Sequence, residues 1–285
     1  MRHLRVAGVC LCGALAVAGC ARDNDAEAAR ALASVNVIDE TNLSDIMLTV
    51  ADPDEAVAYF RRASGEKPDR LDLVRGLAKS LVRAGKPREA AEVWRRALRH
   101  PDAGNADRVA LADALLRAND WEGAGAVMAE IPPTYETFDR YRLEAMLADN
   151  RKDWARADSF YEIAAGLTTR PAGVLNNWGY SRLTRGEEGR AEALFHEALR
   201  HDPNLFIAKN NLVLARASRR DYDLPVVEMT QIERARLLHT MALAAIKQGD
   251  VAIGRGLLEE AVATHPQHFD EAVRALRALE SNVTN

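Results

Sequence analysis

Residues 85–98 read GKPREAAEVWRRAL, and the spacing inside this stretch decides the fold. Ala90, Trp94 and Ala97 stand at i, i+4 and i+7, which places them on one face of an α-helix with small and large side chains alternating. The same stripe recurs outward in both directions. Its small residue falls at Ala56, Ala90, Ala124, Ala157 and Ala191, at intervals of 34, 34, 33 and 34 residues. Four residues on come Phe60, Trp94, Met128, Tyr161 and Phe195, and three further on Ala63, Ala97, Ile131, Ala164 and Ala198. A single helical hairpin cannot bury such a face alone, so a period near 34 predicts hairpins stacked on copies of themselves.

The helix before each stripe keeps the same phase. Leu43, Leu77, Leu111, Trp178 and Leu212 recur, each followed by a small or modest residue, Ser44, Ala78, Ala112, Gly179 and Val213, that lets two helix backbones approach. Turns repeat between paired helices at Ala51-Asp52-Pro53, Gly85-Lys86-Pro87, Asn119-Asp120-Trp121, Asp153-Trp154 and Gly186-Glu187. Asp52 with Glu55 has the spacing of a capping box, and Pro53 suits a first helical position. Pro68 and Pro203 each lie eight residues after their aromatic, where proline stops a helix.

One repeat is irregular. Pro225 occupies the place of the small packing residue, so the second helix of that hairpin is expected to be broken or missing around 221–230, with a new helix capped by Thr230 and Glu233. Met241, Gly249, Gly254, Leu258, Ala261 and Pro266 then restore the pattern, and residues 269–281 read as an amphipathic helix that caps the open end.

These residues resemble the tetratricopeptide repeat family over about 230 positions, 37–266. The resemblance implies an all-α fold, a right-handed α-solenoid of about six to seven helical hairpins, followed by a capping helix and tail over 267–285. Such solenoids bind proteins along the groove lined by their first helices.

The start of the chain has a different character. Met1 to Arg5 is basic, and Val6 to Ala18 is apolar without a charge, followed at once by Arg22, Asp23 and Asp25. That is a signal-peptide pattern, shorter than the roughly 20 apolar residues that span a bilayer. Val17, Ala18, Gly19 and Cys20 resemble the lipobox of bacterial lipoproteins, which implies residues 1–19 as signal, cleavage after Gly19, diacylglycerol on the Cys20 thiol, and residues 20–36 as an acylated tether. An ordinary small-residue cleavage site that happens to precede a cysteine is the alternative. Ala21 stands where an aspartate would imply inner-membrane retention, so the outer membrane, facing the periplasm, is expected.

Cys10 and Cys12 lie within the signal, which leaves the body without a cysteine for a disulfide, a metal or thiol catalysis. Removing Arg2 and Arg5 but no acid takes the net charge from −4 to −6, which argues against general nucleic-acid binding.

Chemistry is sparse. Pro266 separates His265 from His268, so their imidazoles share no helical face for a metal. The glycine run 249–256 lacks the Lys-Ser or Lys-Thr of a phosphate loop, and Ser159 and Ser181 have no nucleophile context. The four tryptophans, Trp94, Trp121, Trp154 and Trp178, sit at repeat packing positions and read as core. No catalysis, cofactor, metal or small-molecule substrate is expected.

The informative polar feature is Asn176-Asn177, followed 34 residues later by Asn210-Asn211. An asparagine amide can donate to and accept from a peptide backbone, so a periodic pair on first helices suggests a ladder for an extended peptide. Arg142, Met146, Tyr180 and Lys209 extend the same candidate groove. Hydrogen bonding between repeats, or simple exposure to water, is the alternative.

The segments LSDIMLTVADPDEAVAYF, NADRVALADALLRANDW, VLNNWGYSRLTRGE and MTQIERARLLHTMALAAIKQGD resemble the TadD lipoproteins of tight-adherence (Flp) pilus systems. That resemblance implies a scaffold that helps assemble the pilus export machine, pilotin-like, with a secretin or another component of the system as partner. The alternative is a general adaptor lipoprotein that docks cell-wall hydrolases or outer-membrane assembly factors.

Overall fold

The computed structural model describes residues 43–283, and the expected signal, Cys20, the whole of the expected tether and residues 37–42 of the expected solenoid lie outside the described residues. Every regular element among them is an α-helix. Five hairpins follow in order: α1 (43–49) with α2 (Pro53–Glu66), α3 (Leu71–Arg83) with α4 (Pro87–Ala97), α5 (Asn105–Arg117) with α6 (Trp121–Ala129), α7 (Phe138–Asn150) with α8 (Trp154–Gly166), and α9 (Ala172–Thr184) with α10 (Glu188–His201). Then α11 (Phe206–Ser218) stands without a second helix, α12 (Gln231–Lys247) pairs with α13 (Val251–Thr264), and α14 (Asp270–Val283) closes the described chain. Two compact units divide after Asp107.

The 34-residue stripe is the core of both units. Ala56, Ala90, Ala124, Ala157 and Ala191 are all fully buried, and Phe60, Trp94, Met128, Tyr161 and Phe195 are each at most 3% exposed. Small residues at one level of the helix let the large ones of the next interlock, the condition for interior packing density. Leu77, Leu111 and Leu212 of the first helices are buried as the phase requires. Leu43 departs from it at 41% exposure.

In the first unit, Arg83 at the end of α3 donates to the carbonyls of Met47, Leu48 and Ala51, satisfying backbone acceptors at the end of α1. Arg75 holds Asp107 through two 2.7 Å bonds, and the same carboxylate accepts the Gly104 N–H. Burial acts to raise the Asp107 pKa, but the Arg75 guanidinium and the Gly104 N–H outweigh it and hold the group below its ordinary value.

The turn that ends the first helix of each repeat after the α1–α2 hairpin is one device repeated. Gly85, Asn119, Lys152, Gly186, Arg220 and Gly249 all have positive φ, between 59° and 89°. The residue after each donates its N–H back to a carbonyl five residues upstream: Lys86 to Leu81, Asp120 to Leu115, Asp153 to Ala148, Glu187 to Arg182, Asp221 to Arg216 and Asp250 to Ala245. This is the left-handed stop that ends many helices. It persists at Arg220, where no second helix follows, so the stop is a local property of the first helix. Lys152 is exposed and gains nothing from a side chain in this conformation, so Lys152→Gly is expected to stabilise the second unit by about 0.5–1 kcal/mol in urea unfolding.

Pro225 breaks the hairpin after α11 as its position predicts. Residues 219–230 form no helix, yet Pro225 is buried where the repeat has a small residue. Leu224, Val227 and Met229 pack from this irregular segment into the neighbouring cores in place of a second helix. Consequently α11 packs directly on α12. Thr230 and Glu233 form the expected capping box at the start of α12, and Asp52 caps α2 by accepting the N–H groups of Asp54 and Glu55. At the far end α14 packs on α13, with Phe269 and Ala272 buried against Leu258 and Ala261.

Candidate functional site

A cavity of about 640 Å³ opens in the second unit against the first helices α7, α9 and α11. Its size falls within the range of small-molecule and side-chain binding pockets. The floor is polar: Asp149 on α7 accepts the Ser181 hydroxyl at 2.6 Å and the Tyr161 hydroxyl at 2.7 Å. Burial and then the Asp149 carboxylate push the Tyr161 hydroxyl far above its ordinary value of 10.0, so it remains a donor at any physiological pH. Tyr161 stacks on Trp178, whose indole N–H donates to Asp158 at 2.7 Å.

Asp158 in turn accepts Arg185 at 2.7 Å and Arg182 at 2.9 Å. Burial would raise its pKa, but the Arg185 and Trp178 hydrogen bonds and the two guanidinium charges prevail, so Asp158 stays ionised. This pairing fixes α8 against α9 behind the cavity.

Asn176, Asn177 and Asn211 line the cavity, and Asn211 Nδ2 donates to Asn176 Oδ1 at 3.0 Å across neighbouring first helices. Asn176 and Asn211 are 6% and 5% exposed. The repeated asparagine therefore does bond between repeats, while the amino group of Asn176 and the carbonyl of Asn211 remain outside that bond. Met146 and the exposed Tyr180 also line the cavity.

The other candidate groove residues lie elsewhere. Lys209 is corrected most clearly: its side chain is 2% exposed and its Nζ is held by Glu233 at 3.0 Å, so it belongs to the junction of α11 and α12 and offers no surface. Asn210 accepts the Thr240 hydroxyl at 2.9 Å, and Arg142 is held by Asp113 at 2.8 Å. Neither lines the cavity.

Two tryptophans expected in the core line it instead. Trp121 and Trp154 occupy the first positions of α6 and α8, half-buried, and face the cavity with Tyr161 and Tyr180. Their 33-residue separation, at the same point of the repeat, was the available signal: a first-position aromatic sits at the rim of the first helices, away from the packed stripe. Trp94 is core as expected, at 3% exposure. The histidines of the 265–268 turn face different partners, His265 stacking on Phe269 and His268 lying 2.9 Å from Asp270.

The described residues form a succession of helical hairpins, one stretch of which carries a polar and aromatic cavity. Residues 75–136 match the family model for the tetratricopeptide repeat. Among curated proteins none matches the sequence. Solved structures share the fold at low identity. A chain of the APC/C hetero-tetramer Cut9–Hcn1 matches with a TM-score of 0.57 at 13% identity, over 80% of this chain and 46% of that one, so the protein spans about half the length of that relative. A tetratricopeptide repeat protein from Parabacteroides merdae matches with a TM-score of 0.55 at 14% identity, over 84% and 96% of the two chains. Pseudomonas aeruginosa pilF matches with a TM-score of 0.51 at 16% identity, over 75% and 99%.

Proposed function

We propose that the protein is a lipid-anchored scaffold of the bacterial envelope, in which acyl chains on Cys20 hold the hairpins at the periplasmic face of the outer membrane while the cavity against α7, α9 and α11 docks a partner protein. The observation that carries the docking half is the cavity itself, where amides from the first helices α7, α9 and α11 converge with aromatic rings from α6, α8 and α9. The basic start, the apolar run and the Val17-Ala18-Gly19-Cys20 sequence support the anchor. One acyl chain holds a protein only marginally, so two or three make the attachment stable. Tethering confines the cavity to a thin layer beside the membrane and raises its effective concentration for a client assembled there.

The resemblance to TadD lipoproteins supports the finer reading, assembly of a tight-adherence pilus export machine with a secretin or another component as client. The likeness to pilF speaks to the fold alone. Replacement Cys20→Ser tests the proposal: the protein is expected to leave the membrane fraction for the soluble periplasm, and the pilus secretin to lose its outer-membrane localisation. Normal secretin assembly in that mutant defeats the pilus role. Co-purification of cell-wall hydrolases or barrel-assembly proteins in place of a secretin selects the adaptor reading.

A further inference from the structure

The charge of the cavity is specific. Asp149 is the one charged side chain among its lining residues. Both carboxylate oxygens are engaged, but by the hydroxyls of Ser181 and Tyr161, which are neutral donors and leave the negative charge in place. Among the described residues no Lys, Arg or His nitrogen forms an ion pair with it. Three nearby guanidinium groups pair with other acids: Arg142 with Asp113, Arg182 and Arg185 with Asp158, with Glu187 shared between the last two.

Around this carboxylate stand aromatic rings, Trp121, Trp154 and Tyr180, whose π faces attract cations. Arg185 already lies 5.1 Å from the centroid of Trp154, which shows that a guanidinium suits this ring. Beside the rings, the amides of Asn176, Asn177 and Asn211 offer donors and acceptors at the level of a peptide main chain.

We infer that the cavity receives a basic side chain, arginine or lysine, from an extended segment of the partner protein. The inference rests on reading the cavity as a docking site for protein, and adds the chemistry of the docked residue. A cation meets a carboxylate that forms no ion pair and π faces beside it, while the asparagines hold the adjoining backbone and tolerate varied neighbours. An acidic side chain would meet the like charge of Asp149 directly.

The test uses the full lipidated protein in non-ionic detergent and acetylated, amidated hexapeptide pools that differ at one fixed position: arginine, lysine, citrulline, alanine or glutamate. Binding is read by tryptophan fluorescence and by anisotropy of labelled peptide. The arginine and lysine pools are expected to bind at least about tenfold more tightly than the citrulline pool, with a preference that weakens as salt rises. Asp149→Asn, nearly isosteric, is expected to erase that preference while peptides still bind and helical circular dichroism is kept.

Equal binding of arginine and citrulline pools overturns the inference and leaves the docking site standing. Tighter binding of the glutamate pool does the same. Binding of no pool overturns both. Should Asp149→Asn lose its helicity, Tyr180→Ala on the exposed rim takes its place and is expected to weaken the arginine pool more than the alanine pool; equal weakening counts against the cation. Equal affinity for free arginine amide and for the arginine pool overturns the peptide portion.

Discussion

Glu233→Ala is expected to destabilise the junction of α11 and α12 by about 3–5 kcal/mol, because it strands a buried charge. Lys209 has almost no access to water, and Glu233 Oε1 accepts from its ammonium at 3.0 Å. The other carboxylate oxygen, Oε2, accepts the Thr230 N–H at 2.8 Å, while Thr230 Oγ1 accepts the Glu233 N–H, so the same residue caps α12. Removing it deletes a cap worth about 1 kcal/mol and leaves an ammonium that must shed its proton or draw water into the interior.

Lys209→Met removes the charge and keeps the stem, so in the Glu233→Ala background it is expected to recover most of the loss. Glu233→Gln keeps a capping side chain without the counter-charge and should fall between. Hydrogen exchange of the α11 and α12 amides reads the effect locally. Parity of Glu233→Ala with the unsubstituted protein would show that Lys209 finds another partner.

The pair also sets a pH dependence. Burial alone would raise the Glu233 pKa, but the Thr230 N–H and the Lys209 ammonium prevail and hold it below the ordinary 4.5. A carboxyl with a lowered folded-state pKa contributes fully above the unfolded value and loses that contribution as pH falls through the folded one. The advantage of the unsubstituted protein over Lys209→Met/Glu233→Ala is therefore expected to hold near neutrality and to shrink progressively below about pH 4.

Lys209 also shows where the sequence becomes silent. The packing stripe was legible because it repeats: Ala191 and Phe195 inherit their burial from the same phase that buries Ala90 and Trp94. The break at Pro225 was legible too, since proline cannot occupy a helix interior without removing a hydrogen bond. What that break brings together was not. Losing a second helix puts α11 directly against α12, and only there does Lys209 meet a glutamate 24 residues away and become interior. A lysine on a repeat's first helix reads as surface until that contact is known.

The cavity divides in the same way. Asn176 and Asn211 announced themselves by period, whereas Asp149 has no periodic partner, and its importance comes from Tyr161 and Ser181 arriving from two further helices. Periodicity reveals what every repeat shares, and a site is built from what one repeat does differently.

Phe195→Ala is expected to cost about 3–5 kcal/mol in the second unit, since a fully buried ring leaves a cavity among Ala191, Ala198 and Leu212. The sharper test lies opposite the ring. A Cβ added to Gly179 on α9 would stand 2.6 Å from Phe195 Cε1 and 2.8 Å from Cδ1, inside van der Waals contact, and the ring is fully buried in its cluster. Gly179→Ala should gain about 1 kcal/mol of helix propensity and lose about 1–3 kcal/mol to overpacking, for a net loss.

Gly256, in mid-helix on α13 with open space around it, lacks the second effect, so Gly256→Ala is expected to stabilise by about 0.5–1 kcal/mol. Opposite signs in urea unfolding would separate packing from propensity. Phe195→Leu should then relieve Gly179→Ala, giving a double mutant better than the sum of its parts. Equal stabilisation by both glycine replacements would show that α9 and α10 can part without loss. The first unit repeats the arrangement on the other side of the aromatic: Phe60 of α2 presses on Gly76 of α3, in the following hairpin, whereas Phe195 presses on Gly179 of its own. Gly76→Ala is therefore expected to destabilise as Gly179→Ala does, because in both units the ring is the wedge that sets how closely two helices approach.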